Sequence, residues 1–79
     1  MEFSALEGEI LVNAWALAHD GRGQVVEPWA LPEAVRLSEA GWLERRMLPN
    51  GHASWWWTEQ AETALDLNAL KQSVEGRHN

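Results

Sequence analysis

The sequence predicts a mainly α domain with one β-hairpin, an α+β arrangement in the order helix, short strand, helix, hairpin, helix. Three observations carry that expectation. Apolar residues recur at helical spacing from Leu6 to Ala18 and again from Ala61 to Val74. Between them, two runs rich in apolar and aromatic residues, Trp42–Leu48 and Ala53–Thr58, flank Asn50-Gly51. That dipeptide is the strongest short-range hairpin signal, because a tight turn takes positive φ at both central residues. The hairpin region also holds four of the chain's six tryptophans, so the segments on either side read as its cover.

Taken in order, Ser4-Ala-Leu-Glu7 fits a capping box, with Ser4 closing a free N–H and Glu7 reaching back to the cap. Glu2, Glu7 and Glu9 suit the positive end of the helix that follows, about Ser4 to His19. Its apolar positions form two adjacent stripes, Leu6/Ile10/Ala14/Leu17 and Leu11/Trp15/Ala18, so this helix is expected to be central. Gly8 inside it costs roughly 1 kcal/mol. Asp20-Gly-Arg-Gly23 turns the chain, and Gln24–Glu27 reads as a short strand ended by Pro28. Trp29-Ala-Leu-Pro32 is too short for a regular helix of its own.

Pro32 suits the first turn of a second helix carrying Val35, Leu37 and Ala40. Gly41 is placed to end it in the left-handed conformation, with Trp42 folding back in a Schellman arrangement. After the hairpin, Thr58 caps a third helix, about Glu59 to Val74, with Ala61, Ala64, Leu65, Leu67, Leu70 and Val74 on one broad face. The tail from Glu75 to Asn79 is expected to fray. No repeat, linker or low-complexity segment divides residues 1–79, which read as a single domain.

Seventy-nine residues bury only a thin core, and no cysteine is present to staple it. Large indoles compensate, since each buries ~150–250 Å² when covered. The lack of cysteine fits a reducing cytoplasm, the expected location. No apolar run reaches about 20 residues and Met-Glu-Phe-Ser has no basic n-region, which argues against a membrane span or signal peptide. Twelve acids against six basic residues give a net charge of -6. Proteins that live on duplex DNA place several Lys or Arg on phosphates, so the charge disfavours nucleic acid.

A family resemblance lies in the middle of the chain. Leu37-Ser-Glu-Ala-Gly-Trp-Leu-Glu-Arg-Arg46, then Asn50-Gly51, then Trp57-Thr-Glu-Gln-Ala-Glu-Thr-Ala-Leu65 resembles the end of the recognition helix, the wing and the closing L-T-x-x-G-x-x-A-L helix of MarR-type regulators. It spans about Leu31 to Leu65 and implies a winged helix-turn-helix scaffold. Trp57 stands where that family usually has leucine, and Ala61 where it often has glycine. The family has two helices between the first strand and the wing. Here only one has room, the other being lost or reduced to Glu27–Leu31. The segment matching the recognition helix, Pro32–Ala40, carries one arginine, two glutamates and no Asn, Gln or Lys to read base edges. The resemblance therefore implies a fold more than a function.

Trp55-Trp56-Trp57 is the most unusual feature. Strand side chains alternate, so Trp56 faces opposite to its two neighbours. A two- or four-residue loop pairs Arg46 with Trp55, and a three-residue loop pairs Met47 with it. Either the indoles are covered by helices or by Arg45 or Arg46 as a cation–π pair, or they form an exposed aromatic patch for a partner. The candidate protein-binding set is Trp55, Trp56, Trp57, Arg46 and Leu48, for a protein partner or a second copy. The alternative DNA-binding set, implied by the resemblance, is Arg36, Arg45, Arg46 and His52. The three histidines fall at a helix end, a turn and the tail, and no catalytic or phosphate-binding motif occurs, so no enzyme, cofactor or metal is expected. Small, acidic, cysteine-free single domains are common among phage and mobile-element accessory proteins, including inhibitors of host defence. The expected function is accordingly a non-enzymatic winged-helix-like protein-binding module of that kind, with a DNA-binding regulator as the alternative.

Overall fold

A computed structural model describes residues 3–75. It is an α+β domain with helices α1 (Ala5–His19), α2 (Leu31–Glu39), α3 (Glu59–Ala64) and α4 (Leu67–Glu75), and an antiparallel hairpin of β1 (Leu43–Met47) and β2 (Ala53–Trp57). A 3-10 turn at Pro28–Ala30 leads directly into α2.

The capping box forms as expected. Ser4 Oγ accepts from the Glu7 N–H, and Glu7 Oε1 accepts from the Ser4 N–H. At the other end of α1, Gly21 has φ 69°. The Arg22 N–H reaches Leu17 O and the Gly21 N–H reaches Ala18 O, a Schellman closure that satisfies the last carbonyls. The expected strand at Gln24–Glu27 does not form. Gln24 alone pairs, exchanging two backbone hydrogen bonds with Trp55 of 2.9 and 2.8 Å. Pro28 starts the 3-10 turn, which leaves the intervening residues no length for a ladder.

α2 carries Pro32 in its first turn and ends as the sequence predicts. The Trp42 N–H donates to Leu37 O and the Gly41 N–H to Ser38 O, with Gly41 at φ 91°. A Cβ at Gly41 would collide with the Gln60 side chain, whose Nε2 donates to Ala40 O. Gly41→Ala is therefore expected to lower unfolding stability by about 1–2 kcal/mol from the backbone alone, more if Gln60 is displaced. Urea denaturation would check this.

The hairpin turn differs from the one expected. Leu48 N–H donates to His52 O and Gly51 N–H to Leu48 O. The loop is thus Pro49-Asn50-Gly51, three residues long. Only Gly51 adopts positive φ, at 88°, while Asn50 does not. This is a three-residue hairpin closed by a left-handed glycine. Asn50 instead uses its side chain, accepting from the His52 N–H. The register that follows pairs Arg45 with Trp55 and Leu43 with Trp57, neither of the pairings expected. The expectation closed a three-residue loop one position too late in the chain.

The third expected helix is broken in two. Leu65 is extended, with φ -99° and ψ 140°, and Asp66 Oδ1 accepts from the Asn68 and Ala69 N–H groups. A fresh aspartate cap lets α4 start on a new axis and lay Leu70 into the core beside α1. Thr58 joins two elements: its Oγ1 accepts from the Ala61 N–H and donates to Gly41 O. Of the tail expected to fray, Glu75 closes α4, and residues 76–79 lie outside the described residues, as does Glu2.

The core gathers Ile10, Leu11 and Ala14 of α1, Ala30, Ala34 and Leu37, then Trp42, Leu43, Trp55, Ala61 and Leu70. Ala14, Ala34 and Ala61, one from each of three helices, are fully buried in it, where a small side chain lets the elements approach closely. Among the described residues, no helix is long and apolar enough to cross a membrane.

Candidate functional site

Register decides what each tryptophan of the hairpin does. Leu43, Arg45, Met47, Ala53, Trp55 and Trp57 share one face, while Glu44, Arg46, Ser54 and Trp56 share the other. Trp55 is 1% exposed and belongs to the core. The register turns it inward, into the cluster with Ile10, Leu11, Ala14 and Ala30, so that of this protein-binding candidate only 1% of the surface is left to the wall of a cleft. Trp56 is half-buried and already engaged within the chain. Its indole N–H donates to Ser54 Oγ, which donates to Arg46 O. The Arg46 guanidinium lies 4.2 Å over its ring, and the indole Nε1 edge lies close to Gly23, where a Cβ would clash. Trp57 is half-buried and donates to Glu62 Oε2 at 2.7 Å. Leu48 is half-buried beside the turn it closes. The three consecutive indoles do not make one open aromatic patch.

The exposed apolar surface lies elsewhere. Trp29 is 69% exposed, Val25 66% and Met47 60%, with Leu31 and Val35 also open. Trp29 sits in the 3-10 turn between Pro28 and Pro32, just before α2. Leu31 and Val35 are one turn apart on α2 and so share a face. A cleft of about 320 Å³ joins these elements, lined by Val25, Pro28, Leu31, Arg45, His52 and Ala53. Val25 and Trp29 also border a neighbouring hollow of about 170 Å³ against α1. Met47 pairs with Ala53 at the rim. Of the five exposed apolar side chains, Val25 and Leu31 line the cleft, Trp29 lines the neighbouring hollow with Val25, and Val35 lies one turn beyond Leu31 on α2. The sequence held one signal for this surface. Trp29 and its neighbours fitted neither a helical stripe nor a strand alternation, and so had no assigned inward face.

The basic residues do not converge. Arg36 pairs with Glu33 at 3.4 Å and Glu7 at 3.9 Å. Arg46 pairs with Glu44 at 3.3 Å on the far face of the hairpin. Arg45 stacks 5.5 Å from the Trp55 ring centroid, and only Arg45 and His52 of the DNA-binding set meet at the cleft. The open face of α2 presents Leu31, Pro32, Val35, Arg36 and Glu39, a surface of apolar and paired groups. Among the described residues, no three His, Asp or Glu side chains are grouped as metal ligands.

No family model, no curated protein and no solved structure matches this chain.

Proposed function

We propose that this chain is a non-enzymatic protein-binding module on a reduced winged-helix-like scaffold. The observation that carries the reading is the set of exposed apolar side chains Val25, Trp29, Leu31, Val35 and Met47, of which Val25 and Leu31 line the cleft beside β1. On an acidic 79-residue domain, exposing an indole and four aliphatic or thioether side chains together opposes solubility unless a partner covers them. Aromatic residues and methionine are enriched in such interfaces. The scaffold reading is supported by α2 leading through Gly41 into the hairpin, and by Gln24 flanking β2 on the side away from β1. The surface that a winged-helix regulator turns to DNA is here apolar, and its arginines are engaged with carboxylates or indoles. Size, charge and composition fit an accessory protein of a phage or mobile element, including one that blocks a host defence by covering a partner's surface.

Fluorescence anisotropy with mixed-sequence duplex DNA at low salt separates this reading from a DNA-binding regulator. No saturable change is expected up to roughly 100 µM protein, the weak end of the ordinary non-specific range. Salt-sensitive binding that disappears in Arg45→Ala/Arg46→Ala would establish the regulator instead. The positive arm is affinity capture from native host cells, with wild type and a Trp29→Ser variant run side by side.

A further inference from the structure

β1 has an open edge. It pairs with β2 on one side and, among the described residues, with nothing on the other. The Leu48–His52 hydrogen bond sets the phase of the ladder. Alternation then directs the backbone groups of Glu44 and Arg46 toward β2, and those of Leu43, Arg45 and Met47 outward. The phase agrees with Trp55, opposite Arg45, which gives its own N–H and C=O to Gln24 on the far side. From Glu44 to Met47 every side chain of the strand is exposed. Charges on an edge strand ordinarily oppose indiscriminate pairing. The run Leu43-Glu44-Arg45-Arg46-Met47 has a further property: reversed against itself, it is complementary.

We propose that β1 pairs antiparallel with β1 of a second copy, with the two-fold axis at Arg45. Backbone geometry permits outward-facing residues to pair only with outward-facing residues, which leaves three central registers. An axis at Glu44 sets two glutamates face to face, and an axis at Arg46 sets two arginines face to face. Both fall in the non-hydrogen-bonded positions, where side chains are closest. With the axis at Arg45, those close positions hold Glu44 against Arg46 of the partner copy, twice. The like pair Arg45–Arg45 then occupies the wider hydrogen-bonded position, where each guanidinium already lies back over its own Trp55. Met47, now 60% exposed, comes opposite Leu43 of the partner copy. Arg45 and Met47 share the face that borders the apolar cleft, so edge pairing also covers part of that surface. The inference rests on the protein-binding reading and names a second copy as the occupant of the strand edge.

Sedimentation equilibrium tests it. The average mass is expected to rise from the 8.9 kDa of one chain toward twice that value between roughly 10 µM and 1 mM, as for small transient interfaces. Glu44→Arg replaces both cross-copy attractions by repulsions and is expected to weaken association roughly tenfold or more. The double swap Glu44→Arg/Arg46→Glu recreates the same pairs with signs exchanged and is expected to restore it. On concentrating the wild type, amide exchange should slow at Leu43, Arg45 and Met47, the outward groups. A mass that stays monomeric throughout, or a double swap no better than the single one, overturns edge pairing. Association lost in Trp29→Ser but untouched by Glu44→Arg also overturns it, while supporting the apolar surface as the binding site.

Discussion

Trp55→Ala is expected to lower the unfolding free energy of the domain by about 3–5 kcal/mol. Trp55 is the largest fully buried side chain, and its backbone is bonded to Gln24 on the side away from β1. Removing a buried indole costs about 3–5 kcal/mol through lost burial and the cavity left behind. Stabilities of roughly 0.05–0.15 kcal/mol per residue place a domain of this length at about 4–12 kcal/mol in total. The single change therefore consumes much of what holds the fold. Its Nε1 is buried without a hydrogen-bond partner, so Trp55→Phe removes an unsatisfied donor along with some volume and is expected to be milder than alanine. Far-UV circular dichroism through a urea titration reads both variants. An alanine variant within about 1 kcal/mol of wild type would show that the ring is not the centre of the core.

Trp29→Ser is expected to do the opposite. The side chain is mostly in solvent and its 3-10 turn is held by backbone and proline geometry, so stability should change by no more than about 0.5 kcal/mol. Partner binding should fall by roughly 30-fold or more, the effect of removing an interface hot spot worth about 2 kcal/mol. Retention of the captured protein on wild type and its loss on the variant, with both folded, is the expected result. Equal retention on both would remove Trp29 from the binding surface. Together the two tryptophans form an internal control, since one change weakens the fold and the other spares it.

The helix ends were legible because the residues that make them act within a few positions. Ser4 with Glu7, Gly41 with Trp42, and Thr58 with Ala61 each close hydrogen bonds locally. Arginine over indole was also readable as an alternative, and it occurs at Arg45 and Arg46. The strand register was not legible. Asn50-Gly51 is compatible with several loop lengths, and a shift of one residue turns every side chain to the other face. With the register open, all three hairpin tryptophans stood as surface candidates, and Trp29, in no regular element, had none of the periodicity that would assign it a face. Asp66 was similarly ambiguous, since an aspartate on a helical face is either a solvated residue or a new cap.

By itself the amino-acid order determined the α+β class, the hairpin, the capped helices and the acidic, cysteine-free character. Those follow from local hydrogen bonding and from period, which need no distant partner. Only the tertiary structure decided which indole is core and which is open. That choice depends on where β2 lies relative to Gln24, α1 and the 3-10 turn, and burial is a property of neighbours that the chain brings together from far apart.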